Sequence, residues 1–154
     1  MVGDCQCLVD GQYFDNPKPA EAHEAQIRAE YNCRLLTEGR ATVEQLMDDD
    51  QGRTAMMPSL LESMKGENID YAVIDGFPIP MGKVRVLTLD FSPHEVVLAS
   101  DGYPFLRPTL EESETALARL LRDDPLCIRQ FLSAKGLMNG QKSFDDRAYI
   151  RFKV

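Results

Sequence analysis

The first apolar run of the chain is short and rich in strand-forming residues. It covers residues 5–9 and leads directly into Asp10-Gly11, a dipeptide that favours a hairpin turn. Tyr13 and Phe14 follow the turn and supply the side chains that open a partner strand. The pattern therefore predicts a β-hairpin at the beginning of the chain.

Apolar residues then recur at helical spacing over residues 20–37. The positions predicted to be buried are Ala20, Ala22, Ala25, Ile27, Tyr31, Leu35 and Leu36. Gly39 follows the last apolar position and is well placed to end the helix.

Two shorter helical segments come next. Thr42 and Gln45 have the spacing of a capping box, which predicts a short helix. Three aspartates at positions 48–50 end it, and they lack the remaining spacing of an EF-hand loop, so a solvated helix end is expected there. Residues 53–64 predict the following helix.

After Gly66 the pattern changes from helical spacing to short apolar runs. Residues 71–74, 84–89 and 95–100 each read as a strand, and the last of these is apolar enough to lie at the centre of a sheet. It ends at Asp101-Gly102, a common turn pair.

The remaining residues predict two helices and a final strand. Thr109 and Glu112 form a second capping box, which opens an amphipathic helix. Pro125 is expected to start a further helix to about residue 134, and residues 148–152 form the last strand. We therefore expect one α+β domain over residues 1–154, with an antiparallel sheet covered by helices.

The composition and charge of the chain argue against some classes of function. The 154 residues carry a formal net charge of −8, and no run of five basic residues occurs, which argues against nucleic-acid binding. No apolar run approaches the ~18 residues that span a bilayer, and no signal peptide is visible. The acidity by itself indicates only solubility.

The cysteines are few and irregularly spaced. Cys5, Cys7, Cys33 and Cys127 do not form a secreted disulfide framework, so a cytoplasmic location is expected. Cys5 and Cys7 face the same side of a strand and, with His23 or His94, are a candidate zinc set. Their spacing differs from Cys-x-x-Cys, which favours buried cysteines, and a solvent-exposed His94 is expected.

Three aspartates lie next to predicted strands in similar ways. Asp4 precedes the first strand, Asp101 ends a buried strand, and Asp145 opens the last one. A sheet holds such carboxylates rigidly, and oxygen ligands of this kind suit Mg²⁺ or Mn²⁺. Ordinary turn chemistry explains each aspartate taken separately.

The segments around these aspartates resemble three motifs of a known family. "VGDCQCLVDG" (2–11) is similar to the Gly-Asp-Ser-Arg strand of the metal-dependent Ser/Thr protein phosphatases of type 2C (PPM). "EVVLASDGYP" (95–104) is similar to their strand that ends in Ser-Asp-Gly, and "SFDDRAYIRF" (143–152) is similar to their final motif. Their order also agrees, so the chain resembles the C-terminal part of the type 2C α/β/β/α sandwich.

This resemblance implies a function and a site. Asp101 and Asp145 match two ligands of the family's binuclear Mn²⁺ or Mg²⁺ centre, and Asp4 matches a residue near an additional metal. In the family a metal-activated water attacks the phosphorus of a phosphoserine or phosphothreonine protein substrate. The resemblance thus implies a hydrolase that acts on phosphomonoesters.

The chain also departs from the family. The Asp-Gly-His-Gly motif and the phosphate-holding Arg of the N-terminal half are absent, and Cys5 and Gln6 replace the usual Ser and Arg. We therefore expect little activity from this chain alone. The alternatives are a non-catalytic module that binds a protein partner, and a separately encoded N-terminal half that completes the site, which predicts an exposed strand edge near residues 3–9.

Overall fold

The computed structural model describes residues 1–154 and has an α+β fold with one four-stranded antiparallel sheet, as the sequence predicts. The elements in chain order are β1 (Gln6–Val9), β2 (Gln12–Phe14), α1 (Glu21–Thr37), α2 (Val43–Asp48), α3 (Gln51–Met64), a 3₁₀ turn (Met81–Lys83), β3 (Glu95–Ala99), α4 (Leu110–Asp123) and β4 (Tyr149–Lys153). None of the helices has the length and apolar character needed to cross a membrane.

The chain divides into two compact units. Met1–Pro19, Gly66–Leu117 and Asp146–Val154 form the first, which we call the sheet unit. Ala20–Lys65 and Ala118–Asp145 form the second, which we call the helical unit. Each unit is therefore built from segments that are distant in sequence.

In the sheet unit the strand order is β2-β1-β3-β4, and every neighbouring pair is antiparallel. The predicted central position of β3 is confirmed. β1 pairs on both sides, with β2 and with β3. The expectation of an exposed strand edge near residues 3–9 is therefore wrong, because the hairpin supplies β2 as the edge strand.

One face of the sheet is covered within the sheet unit. Leu8, Val97 and Ala99 are buried and form a cluster with Tyr103 and Leu106, which follow β3 in the chain. Burial of such side chains contributes on the order of 1.5–3 kcal/mol each for the larger ones. This cluster fixes the segment after β3 against the sheet.

The opposite face is apolar and partly open. Leu98 is 43% exposed and pairs with Ile150, which is 57% exposed. Phe152 lies on the same face, because its partner Val96 is two residues from Leu98 on β3. Such exposure at a central strand is unusual for a sheet, since its apolar side chains normally pack on another layer.

In the helical unit the buried face of α1 differs from the predicted one. Ala25 and Leu35 are buried as expected, but so are the polar residues Arg28 and Asn32. Ile27 and Tyr31 are only partly buried. The hydrophobic pattern missed this face because a partner carboxylate offsets the cost of burying the polar groups.

That carboxylate is Asp50, which is buried at the N-terminus of α3. Arg28 donates its Nε to Asp50 at 2.7 Å, and Asn32 donates to it at 2.8 Å. The same side chain caps α3 by accepting from the backbone of Arg53 at 3.0 Å. The expectation of a solvated helix end is therefore wrong for Asp50.

The segment after α4 is also different from the prediction. Residues 125–134 form turns and bends instead of a helix. The carboxylate of Asp124 accepts hydrogen bonds from the backbone N–H groups of Ile128, Arg129 and Gln130. Arg28 donates a hydrogen bond to the carbonyl of Leu126 at 2.8 Å. These side chains satisfy backbone groups that a helix would otherwise pair internally.

Two predicted strands are absent from the sheet unit. Residues 71–74 contain only one end of an isolated bridge, between Glu67 and Tyr71. Residues 84–89 belong to no strand. Their backbone hydrogen bonds to a distant part of the chain are the two between Arg85 and Met1. A strand needs a neighbour to satisfy its backbone, and neither segment has one along its length.

The buried pair in the helical unit predicts a large stability effect. We expect Arg28→Met to lower the free energy of unfolding by about 3–5 kcal/mol, because Asp50 is left buried without its cationic partner. Urea denaturation measures the change. Arg40→Met removes an exposed pair with Glu38 and is expected to cost no more than about 1 kcal/mol. Equal effects of the two substitutions would contradict the structural role of Arg28.

Candidate functional site

The motif aspartates of the sheet unit lie at one end of the sheet. β1 and β4 both run antiparallel to β3, so the start of each lies beside the end of β3. Asp4 shortly precedes β1, Asp101 follows β3, and Asp146 precedes β4. Segments from the two ends of the sequence are thus brought to the same place by strand pairing.

Ser100 joins the end of β3 to the segment before β4. Its backbone N–H donates to the carbonyl of Ala148 at 3.1 Å, and its hydroxyl accepts from the Ala148 N–H at 3.0 Å. The same hydroxyl donates to the carbonyl of Asp146 at 3.2 Å. These bonds extend the β3–β4 pairing to the residue next to Asp101.

Gln6 joins the same turn to β1. Its side-chain amide donates to the carbonyls of Ser100 at 2.9 Å and Tyr103 at 3.0 Å, on either side of Asp101-Gly102. The hydroxyl of Tyr13 donates a hydrogen bond to the side-chain carbonyl oxygen of Gln6 at 3.0 Å. No pattern in the sequence indicated this role, since Gln6 stands out only as a replacement for the Arg of the motif that this segment resembles.

Gly102 allows the segment that leads into β4 to pack directly against the turn after β3. A Cβ atom at this position would lie 2.2 Å from the carbonyl oxygen of Asp146 and 3.0 Å from the side chain of Arg147. Only glycine leaves room for the backbone of the β4 lead-in. The Asp-Gly pair is thus a packing requirement here as well as a turn.

Arg147 adds a positive charge to this region. Its guanidinium pairs with Glu114 at 3.0 Å and lies 6.0 Å from the centre of the Tyr103 ring. Tyr103 donates its hydroxyl to Glu114 at 2.6 Å. Burial, followed by the bond to Glu114, raises the pKa of the Tyr103 phenol, which therefore stays protonated at neutral pH.

Two of the predicted metal ligands pair with lysines inside their own unit. In the sheet unit Asp4 accepts from Lys18 at 2.5 Å. In the helical unit Asp145 accepts from Lys135 through both carboxylate oxygens, at 2.6 and 2.7 Å. No group of three His, Cys, Asp or Glu side chains is arranged to hold a metal ion.

The zinc candidates do not form a metal-binding group of three either. Cys7 is buried in β1, and Cys5 lies before the strand with its thiol 3.4 Å from the carbonyl of Val2. Burial, followed by the neighbouring Cys5, raises the pKa of the Cys7 thiol. All four cysteines are free.

His94 lies at the other end of the sheet, beside the β1–β2 turn. Its ring contacts Asp10 at 2.6 Å and Asp90 at 3.0 Å. The side chain is 13% exposed, so the expectation of a solvent-exposed histidine is wrong. The bond to Asp10, then that to Asp90, raises the pKa of His94, while Ser92 and then His94 lower that of Asp90 to about 2.

The His94 contacts predict a pH-dependent stability. Because the folded pKa of His94 is raised, its contribution is complete below about pH 6.5 and is lost as pH rises through the folded pKa. The Asp10 and Asp90 contributions are complete above about pH 4 and are lost as pH falls through their lowered folded pKa values. All three contributions are therefore present together between these limits.

We expect His94→Gln to lower the melting temperature more at about pH 5.5 than at about pH 9. Thermal denaturation at both pH values measures the difference. Asp10→Asn keeps a residue that tolerates the positive φ of 50° at this turn and should reduce the same pH dependence. An equal loss of melting temperature at the two pH values would show that His94 gains nothing from its carboxylates.

Comparison with known proteins adds no family to these observations. The chain matches no protein-family model, no curated protein and no solved structure. What the chain does is therefore inferred from its own residues and their geometry.

Proposed function

We propose that this chain is the C-terminal half of a metal-dependent Ser/Thr phosphatase domain similar to type 2C, which acts on phosphoproteins. The observation that supports the proposal is the placement of the three motifs. They are spread over residues 2–152, yet the strands they contain, β1, β3 and β4, are neighbours in one sheet. Chance similarity in three short motifs does not require them to lie on adjacent strands.

The donor chemistry of the proposed ligands fits a hard divalent cation. Asp101, Asp145 and Asp4 offer carboxylate oxygens, which suit Mn²⁺ and Mg²⁺. In such phosphatases the bound ions supply an activated water and neutralise charge on the phosphoryl group. In this chain Gln6, Ser100 and Gly102 hold the turn that carries Asp101.

The number of donors does not fit a complete two-metal centre. Asp4 and Asp145 are paired with Lys18 and Lys135, and no three potential ligands are grouped. We therefore propose that the remaining ligands come from a missing N-terminal half or from a partner chain. Catalysis by this chain alone is expected to be slight.

The open face of the sheet favours a second function, that of a phosphatase-like module that binds a protein partner without catalysis. Leu98, Ile150 and Phe152 form an exposed apolar surface on a sheet whose other face is covered. Exposed apolar patches of this kind mark interaction sites in folded proteins. The occupant that we propose is the polypeptide that supplies the absent half.

Metal titration separates the two functions. We expect calorimetry with Mn²⁺ to detect weak binding by the unmodified chain, and Asp101→Asn to weaken it by at least about tenfold, because one of few donors is lost. Asp70→Asn is the matched control, since it removes the same charge from an exposed residue of the sheet unit.

Each result of this titration has a defined meaning. Loss of binding with Asp101→Asn alone supports the phosphatase site. Equal losses of Mn²⁺ affinity in both variants indicate only diffuse attraction of the ion to an acidic protein. They would contradict a metal site at Asp101. Absence of binding means that the chain is at most half of a phosphatase and that its own function lies in partner binding. Rapid Mn²⁺-dependent hydrolysis of a phosphoserine peptide by the chain alone would contradict the proposal that half of the site is missing.

A further inference from the structure

The last strand of the sheet has one edge without a neighbour. β4 is the outermost strand in the order β2-β1-β3-β4 and pairs only with β3. All five of its residues pair with β3 in a continuous register that has no bulge, and four of them are exposed. A regular, exposed edge of this kind is a template on which another strand can pair.

The pairing with β3 shows which backbone groups lie on this edge. His94 and Val154 exchange both of their backbone hydrogen bonds, at 2.9 and 3.0 Å. Because bonded pairs alternate along an antiparallel ladder, Ile150 and Phe152 also direct their N–H and C=O groups toward β3. The three residues that alternate with them direct these groups away from the sheet: Tyr149, Arg151 and Lys153.

The apolar face of the sheet is open beside this edge. On the β1 side of that face Met1 lies against the buried Cys7, with 3.9 Å between their sulfur atoms. On the β4 side Ile150 and Phe152 remain exposed. A strand that pairs with β4 would place alternate side chains beside these two residues, and apolar side chains there would be removed from water together with them.

The opposite face of β4 carries an excess of positive charge. Arg151 and Lys153 lie on that face, because alternate residues of a strand point to the same side. Glu95 of β3 accepts a hydrogen bond from Arg151 at 2.6 Å and lies directly opposite Lys153. One carboxylate thus faces two cations, although the chain as a whole has a net charge of −8. A neighbouring strand with carboxylates on this side would offset the excess.

We propose that β4 binds an extended segment of a partner protein as a further antiparallel strand of the sheet, and that apolar and acidic residues alternate along this segment. Its apolar side chains lie beside Ile150 and Phe152, and its carboxylates lie beside Arg151 and Lys153. The inference rests on the partner-binding function proposed above and adds how the partner is held. In strand addition of this kind backbone hydrogen bonds supply affinity, and the alternating side chains supply specificity.

A second copy of the chain fits this edge poorly. In the antiparallel register in which two β4 strands overlap fully, the middle residue, Arg151, lies opposite its own copy. Like charges directly opposite each other destabilise a sheet, and the net charge of −8 on each chain adds repulsion. The charge pattern therefore favours a partner of different sequence.

The test uses a short peptide, capped at both ends, in which valine and glutamate alternate. NMR spectroscopy measures hydrogen exchange of the backbone amides of the full chain with and without this peptide. We expect the amides of Tyr149, Arg151 and Lys153 to exchange at least about tenfold more slowly in the complex, because they gain hydrogen bonds. The amides of β2, at the opposite edge of the sheet, should not change.

Two control peptides separate the parts of the proposal. N-methylation of the glutamates removes the N–H groups that face β4 in this antiparallel pairing and should abolish binding. Replacement of every glutamate by lysine should weaken binding by at least about fivefold, because like charges then face each other.

Matched variants of the chain test the same contacts. Lys153→Gln should weaken binding of the valine–glutamate peptide by about two- to fivefold, since one exposed ion pair is lost. Lys83→Gln removes the same charge from an exposed residue outside the sheet and should have no effect. Ile150→Thr should also weaken binding, whereas Val86→Thr, at another exposed apolar residue, should not. The amide spectrum of each variant shows whether it is folded.

Other outcomes contradict the inference in distinguishable ways. If the N-methylated peptide binds as tightly and shifts the signals of Ile150 and Phe152, the partner-binding function stands but strand addition is wrong. If neither peptide binds, strand addition and partner binding at this surface both fail. Equal binding of the lysine peptide would contradict the acidic character of the partner. Protection of the outward amides that rises with the concentration of the free chain would show that a second copy occupies the edge.

Discussion

The pairing of β3 on both of its edges is the constraint on which the sheet unit depends. One edge receives β1 from the beginning of the chain, and the other receives β4 from its end. Because both neighbours are antiparallel to β3, the residues before them converge on the turn after it. Ser100 and Gln6 then tie this turn to both sides, so that Asp101 is carried by a well-supported backbone.

The helical unit depends on a different kind of interaction, a buried polar network. Arg28 is surrounded by an aspartate and by backbone carbonyls of the 126–133 segment. Burying such a group is unfavourable unless each donor is paired, and here the pairing organises a segment that has no helix or strand of its own. The position of Lys135, and with it the environment of Asp145, follows from that network.

Local signals in the sequence predicted the elements that local chemistry determines. The Asp10-Gly11 hairpin turn forms, and Thr42 with Gln45 forms a capping box as expected. The failures are positions where a distant partner decides. Residues 84–89 have strand-forming side chains but no neighbouring strand, and Arg28 is buried only because Asp50 reaches it.

The same distinction applies to the candidate site. Spacing and motif resemblance singled out Asp4, Asp101 and Asp145, because an aspartate beside a strand is visible in the sequence. The lysines that pair with two of them were not predicted, since the direction of a loop side chain depends on tertiary contacts. The support that Gln6 gives to the Asp101 turn escaped prediction for the same reason.

The most direct test of a cation site beside Asp101 is the NMR spectrum of the chain during addition of Mn²⁺, whose unpaired electrons broaden nearby amide signals. The signals of Gly102 and Arg147 should broaden first, while those of Gly11 and Glu95, at the opposite end of the sheet, should keep their intensity. Equal broadening at both ends, or stronger broadening beside Asp10 and Asp90, would contradict a site at Asp101.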